Sequence, residues 1–367
     1  MRWKRALKWT AIAVPAALLA TLGVAYLRSD NECSAPPAGP PRTPMRAVVY
    51  CDYGSPRTLR LAQIEKPVAT DDQIVVRVRA AAVNPLDWHY MRGTPYIGRM
   101  EMGLRRPKVT RLGVDFAGVV DSVGRNVTRF RRGDEVFGGR TGAFAEYVAV
   151  RADRAVVPKP AGISFEQAAA VPIAAVTALQ AVRDQGGVRA GQRVLVNGAS
   201  GGVGTFAVQI AKAMGAEVTG VSSTRNVELV RSLGADHAID YTREDFTRGA
   251  QRYDVIIDNV GNHPVSALRR VLTPHGRYVM VGGPSGRWLD PLPRAASLAV
   301  TSRFVDQDLR FFLAELNAKD LTVLADLMRA GKVTPVIDRR FPLTAIQAAM
   351  AYQETGRTRG KVVVTVE

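Results

Sequence analysis

Residues 194–204 read Val194-Leu195-Val196-Asn197-Gly198-Ala199-Ser200-Gly201-Gly202-Val203-Gly204. A short apolar run enters a cluster of glycines. The residues that follow, Phe206, Val208, Ile210, Ala211 and Met214, carry the spacing of a half-buried helix. Strand, tight turn and helix form the unit that receives the pyrophosphate of a dinucleotide. Glycine suits that turn because no Cβ blocks the approach of the phosphates. The helix start then offers free N–H groups and a partial positive charge. Ala199 stands where the first glycine of a strict GxGxxG would fall, so the context carries the reading. A second strand pattern, 217–222, ends eighteen residues after Gly204, where the reader of the adenosine ribose belongs. Gly201, Gly202, Val203 and Gly204 are the expected pyrophosphate cradle.

The residues at the end of that second strand select the nucleotide. An NAD site places Asp or Glu there to hold the ribose hydroxyls. This chain has Ser222-Ser223-Thr224-Arg225. A carboxylate would repel an added 2′-phosphate, whereas hydroxyls and a guanidinium attract it, the latter through paired charge-assisted bonds. Ser222, Thr224 and Arg225 therefore point to NADP(H) over NAD(H), the alternative being that Arg225 is an ordinary solvated arginine at a helix start.

The elements that position these residues follow from hydrophobic patterning. Strands are expected at 45–50, 74–83 and 112–123, with turn glycines at Gly124, Gly133, Gly138 and Gly139. A helix is expected over 165–183, interrupted at Pro172. Strands at 194–197, 217–222, 253–258 and 277–281 then alternate with helices starting near Gly204, Arg225 and Pro264. Short apolar strands with helical crossovers imply a parallel sheet covered on both faces. A helix over 309–328 and a strand over 361–366 close the chain.

With 367 residues the chain is long enough for two domains. Its net charge of +17 is nearly all scattered arginine. No lysine-rich tract or aromatic ladder accompanies it, which argues against a nucleic-acid partner. The excess suits attraction to an anionic cofactor and to anionic lipid. Two cysteines, Cys33 and Cys51, exclude a disulfide framework and a cysteine-rich zinc site. A single bridge between them is expected only outside the cytoplasm.

Arg2, Lys4, Arg5 and Lys8 precede an apolar run at 9–27. As a helix, that run spans about 28 Å, close to the hydrocarbon thickness of a bilayer. The preferred reading is an uncleaved N-terminal hydrophobic helix that anchors the chain in a membrane. The alternatives are a signal peptide cleaved near Gly23-Val24-Ala25 and translation starting at Met45. The basic residues ahead of the run favour a catalytic part outside the cytoplasm. The cytoplasmic location of NADPH favours the opposite side. A proline-rich stretch, 34–44, reads as a semi-rigid spacer.

Several ordered motifs resemble one family. They are Ala82-Val83-Asn84-Pro85-Leu86-Asp87, Gly113-Val114-Asp115-Phe116-Ala117-Gly118-Val119-Val120, Gly133-Asp134-Glu135-Val136, Gly142-Ala143-Phe144-Ala145-Glu146-Tyr147 and the glycine loop. Together, from Met45 to the C-terminus, they are similar to the medium-chain dehydrogenase/reductase superfamily in its zinc-free quinone oxidoreductase branch. The resemblance implies an α/β protein: a Rossmann doubly wound parallel sheet plus a GroES-like β-rich catalytic domain built from both ends of the chain. The boundaries expected are 1–28 for the anchor or signal, 29–44 for the linker, 45–171 and 311–367 for the catalytic domain, and 172–310 for the NADP-binding domain. Relatives are commonly dimers, which makes a homodimer one arrangement to test.

Asn84 and Val114 stand where zinc enzymes of the superfamily have metal ligands. Valine cannot ligate, and zinc prefers thiolate or imidazole to an amide, so no metal is expected. Without that Lewis acid, hydride delivery to an electron-poor quinone or α,β-unsaturated carbonyl is the chemistry implied. The resemblance gives Asn84 the acceptor oxygen, unless it only precedes Pro85 in a turn. It places Thr177 near the nicotinamide, Tyr241 beside the adenosine phosphate, and Gly282 and Gly283 near the nicotinamide. Tyr96 is a candidate proton donor in shifted register, with His89 as the alternative. A 2-enoyl thioester reductase and a non-catalytic membrane-tethered NADPH sensor are the rival readings.

Overall fold

In the computed structural model, residues 39–283 and 286–366 are described, together with Gly23, Tyr26, Asn31 and Cys33. Among the described residues, no helix is long and apolar enough to cross a membrane. The apolar run at 9–27 lies outside them, apart from Gly23 and Tyr26.

The N-terminal β structure begins with an antiparallel pair, β1 (Pro44–Val49) and β2 (Arg60–Glu65). The strands β3 (Gln73–Val83), β4 (Asp115–Val123), β5 (Glu135–Gly139), β6 (Tyr147–Arg151) and β7 (Val156–Pro158) follow. Strand β3 is apolar on both faces near its end, as befits a strand with neighbours on both sides.

The second half alternates strand and helix. Its strands are β8 (Arg193–Asn197), β9 (Glu217–Ser222), β10 (His237–Asp240), β11 (Tyr253–Asp258), β12 (Leu272–Met280) and β13 (Asp308–Phe311). They form one six-stranded parallel sheet in the order β10-β9-β8-β11-β12-β13. That is the doubly wound order, whose switch point lies between β8 and β11 and opens a crevice at the carboxyl ends of the strands. Residues 309–311 are strand, not the helix start expected. They pair with β12 at the sheet edge, and the helix Ala318–Arg329 begins after Asn317 caps it through Asp320 N–H.

The chain then returns to the first sheet. Strands β14 (Ile337–Pro342) and β15 (Lys361–Thr365) extend it in the order β14-β15-β3-β4-β5-β7, with β6 also paired to β3. The C-terminal strand thus lies antiparallel to β3, with Val362 opposite Val83. One apolar core joins the two sheets. It includes Ala82 and Phe137 from the first, Val194 and Val196 from the second, and the helix Pro172–Leu179 between them. The expected helix over 165–183 divides at Pro172 into Phe165–Ala169 and Pro172–Leu179.

Cys33 and Cys51 form a disulfide, with 5.7 Å between their Cα atoms.

Candidate functional site

Strand β8 ends at Asn197, and the turn that follows is built from glycine for two separate reasons. Gly198 adopts φ +75°, a left-handed conformation costly for any residue with a side chain. Gly204 sits where an added Cβ would lie 2.1 Å from the Gly198 carbonyl oxygen, so its role is close packing of helix on strand. At Gly201 and Gly202 an added Cβ would meet nothing closer than 3.5 and 3.4 Å. They leave room above the loop. We expect Gly204→Ala to lower stability by about 2–4 kcal/mol in denaturant unfolding. Gly201→Ala should keep the fold and weaken nucleotide binding in a titration.

The helix Gly202–Ala213 has no side-chain cap at Gly201. The N–H groups of its first turn, from Gly202, Val203 and Gly204, have no intrahelical partner; all three residues line the crevice, with Gly201 bridged to Gly360 beside them. The crevice is a groove of about 620 Å³. One end is lined by Ser222, Ser223, Arg225, Tyr241 and Arg357, the middle by the glycine loop, and the other by Pro85 and Gly283. Two buried amide oxygens on its lining, Asn226 Oδ1 and Asn259 Oδ1, have no partner among the described residues. A glycine-lined helix start, two arginines and the two amide oxygens fit a phosphorylated dinucleotide.

The groove has a rigid floor. Asp258 is fully buried. It accepts from Asn197 Nδ2 at 2.8 Å, from the N–H groups of Val260 and Gly261, and from the Tyr278 hydroxyl at 2.8 Å. The carboxylate thereby fixes both strand ends at the switch point.

Not every expected nucleotide residue faces the groove. The Thr224 hydroxyl donates to Asp240 at 2.6 Å and lies 3.0 Å from the Thr242 hydroxyl, so it is spent on the β10 end. Ser222 is buried, whereas Ser223, its neighbour, is more open and also lines the groove. Arg225 lines the groove, and its guanidinium donates to the Arg357 carbonyl at 2.8 Å. Arg357 was not foreseen. It comes from the C-terminal segment, 132 residues from Arg225, and nothing in a local motif announces it. Tyr241 is exposed and lines the same end. Gly282 packs its Cα face against the Asn259 carbonyl, where a Cβ would fall 2.2 Å away, while Gly283 lines the groove.

Beneath the other end lies a buried polar cluster. Asn84, Asp87, Asp115 and Lys361 are each at most 3% exposed. Lys361 Nζ donates to Asn84 Oδ1 and, at 3.2 Å, to Asp115 Oδ2. Asn84 Nδ2 donates to Asp115 Oδ2 at 2.9 Å. The other oxygen of Asp115 accepts the Ile173 N–H at 3.0 Å, at the start of the helix that carries Thr177. Asp87 accepts from the N–H groups of Asn84 and Gly113. Both ends of the Asn84 amide are therefore committed within the protein. This differs from the expected role on an acceptor oxygen, because the buried ammonium and carboxylate hold the amide away from the groove. Lys361 was also unforeseen. Its stem runs under the glycine loop, where its Cδ would lie 3.4 Å from a Cβ on Gly202.

Burial pushes Asp87 up from 3.8 to about 7, with the neighbouring Asp115 adding to the rise and its backbone hydrogen bonds opposing it. Burial also raises Asp115, against the pull of Lys361. For Asp87 the folded state holds its proton more tightly than the unfolded state. This group's effect is therefore to lower stability as pH rises from 3.8 to about 7. Asp87→Asn should flatten that part of the pH–stability profile, measured by urea unfolding across the range.

Thr177 is half-buried and donates its hydroxyl to the Ile173 carbonyl at 2.7 Å, which leaves its oxygen free to accept. Tyr96 packs edge-on against Trp288, and its own N–H donates to the Arg287 carbonyl at 2.7 Å. Its hydroxyl has no hydrogen-bond partner among the described residues. His89 lies with Nδ1 2.9 Å from the Thr94 carbonyl, so that nitrogen carries the proton and Nε2 is an acceptor. Desolvation lowers its pKa, keeping it neutral, and a neutral imidazole in that tautomer is not a donor toward the cleft. Among the described residues, no group of three or more His, Cys, Asp or Glu is placed to hold a metal ion.

Residues 70–161 match the alcohol dehydrogenase GroES-like domain, and residues 233–364 match a family described as zinc-binding dehydrogenase. The chain is 35% identical to the 2-methylene-furan-3-one reductase of Solanum lycopersicum, over 87% of this chain and 79% of that one. It is equally 35% identical, with the same shares covered, to the chloroplastic NADPH-dependent alkenal/one oxidoreductase of Arabidopsis thaliana. The solved quinone oxidoreductase of Coxiella burnetii superposes with a TM-score of 0.77 at 30% identity, covering 89% of this chain and all of that one. The chain belongs to the medium-chain dehydrogenase/reductase superfamily, in its quinone oxidoreductase branch. For a member of this superfamily, the groove at the β8–β11 switch point is where the nucleotide is expected. Asn84 is locked by Lys361 and Asp115, and the Val114 side chain has no donor atom.

Proposed function

We propose that this protein is an NADPH-dependent oxidoreductase that reduces quinones or α,β-unsaturated carbonyl compounds without a metal ion. The groove carries the reading: a glycine-lined helix start in its middle, Arg225 and Arg357 at one end, and the Asn84–Asp115–Lys361 cluster under the other. The nucleotides and acceptors named for its relatives agree with it.

Bound NADPH would supply a hydride. The remaining work belongs to the chain. The N–H groups of Gly202, Val203 and Gly204 hold the pyrophosphate. Arg225, Arg357, Ser223 and Tyr241 hold the 2′-phosphate end, with Ser222 shaping the strand end beneath them. Thr177 offers its free oxygen lone pair to the nicotinamide amide, and Gly282 and Gly283 keep the backbone low beside that ring. Asn84 and Lys361 are positioning residues: they tie β15, β4 and the turn before the helix Pro85–Arg92 into one unit beneath the cleft. We assign the Tyr96 hydroxyl, which has no hydrogen-bond partner among the described residues, the delivery of the proton that an enone product requires.

Purified full-length protein should oxidise NADPH, followed by absorbance, with simple quinones and enones. Turnover confined to enoyl thioesters would favour a thioester reductase. Tight binding without turnover on any acceptor would favour a sensor.

Anchoring of the chain in a membrane by residues 9–27 is part of the same reading. The nucleotide argues for a catalytic domain on the cytoplasmic side. The Cys33–Cys51 bridge and the basic residues ahead of the apolar run argue for the other side. Protease protection in sealed membrane vesicles decides between them.

A further inference from the structure

Two segments meet to form a lip beside the end of the groove that Gly283 lines, where a Cβ on Gly283 would lie 3.7 Å from Pro291. Tyr96 and Ile97 donate their N–H groups to the carbonyls of Arg287 and Trp288, at 2.7 and 3.1 Å. Around this joint stand apolar side chains that the fold leaves in water. Met100 and Trp288 are 65% and 71% exposed, and Leu289 and Leu292 about half exposed. Singly, such residues mean little; gathered on two joined segments, they mark an interaction surface. The surface is also basic. Residues 96–108 carry Arg99, Arg105, Arg106 and Lys108 against Glu101 and the Asp52 that pairs with Arg106, and Arg287 flanks Trp288 with Asp290 two residues beyond.

An independent feature says what this surface meets. Cys33 is bonded to Cys51, and the residues after Cys51 hold the lip directly. Asp52 pairs with Arg106 at 3.2 Å, and the Tyr53 hydroxyl donates to the Gly103 carbonyl at 2.7 Å. The apolar run at 9–27 ends six residues before Cys33. Six residues of extended chain reach about 20 Å. With 5.7 Å between the Cα atoms of Cys33 and Cys51, the disulfide holds Cys51, next to the residues that contact the lip, within about 26 Å of wherever the run ends.

We infer that this lip docks on an anionic lipid bilayer, with Met100, Trp288, Leu289 and Leu292 entering the interface and the exposed Lys108 and Arg287 meeting the headgroups. A lipid-soluble acceptor then reaches the cleft from the membrane without crossing water. This route rests on the acceptor class proposed above; the docking itself does not.

The test uses the full-length protein, oxidised so that Cys33 and Cys51 stay bridged. Met100→Cys carries a polarity-sensitive fluorophore, and the chain is reconstituted in vesicles of phosphatidylcholine with phosphatidylglycerol. Glu228→Cys, on the helix Val227–Ser232, gives the reference position. That helix packs on β9 and β10, at the sheet edge remote from β12, after which Trp288 follows.

Spin-labelled lipid should quench the fluorophore at position 100 and leave that at 228 unquenched. No quenching at 100, or equal quenching at both, overturns docking. Shielding at 100 that grows with protein concentration and needs no lipid also overturns it, in favour of a second copy on this face. Met100→Glu combined with Leu289→Glu should raise the KM for a vesicle-embedded long-chain quinone about fivefold, with the KM for a water-soluble quinone unchanged. Unchanged KM for both, or an equal rise in both, overturns the membrane route. Failure of the unsubstituted protein to oxidise NADPH with either quinone defeats the functional reading, and the quenching result stands apart from it.

Discussion

Lys361→Met is expected to cost about 3–5 kcal/mol of folding stability, because it leaves a buried carboxylate without its counter-charge. Asp115 is completely buried and loses the ammonium 3.2 Å away, while Asn84 loses the donor to its amide oxygen. Removing the second charge should repair much of the damage. Asp115→Asn keeps an oxygen for the Ile173 N–H and carries no charge, so the double variant is expected to recover a large part of the loss. Chemical denaturation of the two single variants and the double variant checks this as a cycle. A Lys361→Met protein within about 1 kcal/mol of the parent would show that the cluster does not hold β15, β4 and the turn before the helix Pro85–Arg92 together.

The second large effect is on nucleotide choice. Arg225→Asp replaces an attraction for the 2′-phosphate by a repulsion, beside Arg357 and Tyr241 on the same groove end. Losing a charged hydrogen bond and adding a like charge amounts to about 3 kcal/mol, or roughly a hundredfold in KM for NADPH. The KM for NADH, which has no phosphate there, should change far less. Steady-state kinetics with both nucleotides reads the ratio. Equal effects on the two would remove Arg225 from the phosphate site.

Local sequence carried the parts of this site that are local. The glycine loop shows itself because a strand, a tight turn and a helix start occupy one short stretch. Serine and arginine at the end of β9 are legible because the second strand of such a unit always ends near the ribose. The C-terminal contributions were not legible in that way. Arg357 and Lys361 reach the groove and the buried cluster because β15 pairs with β3, a contact between residues some 280 apart in the chain. Only the pairing makes the neighbours. Asn84 shows the opposite limit. Its type suited contact with an acceptor, but two buried charges compete for the same amide and hold it inside. Thr224 was drawn away likewise, by the Asp240 carboxylate at the end of the adjoining strand. Residues 309–311 read as the start of a helix because Leu309, Phe311 and Phe312 also fit a helical period; edge pairing with β12 decides them as strand.

The central claim is that the groove at the β8–β11 switch point holds a 2′-phosphorylated nicotinamide nucleotide and passes its hydride to a conjugated acceptor. The most direct measurement is a single-turnover absorbance trace. Full-length protein, saturated in turn with NADPH and with NADH, is mixed with a quinone in the presence of a chelator. The expected result is rapid loss of the reduced-nicotinamide band with NADPH, unaffected by the chelator, at nucleotide concentrations where NADH gives little change. Indifference to NADPH, or abolition of the signal by the chelator, would contradict it.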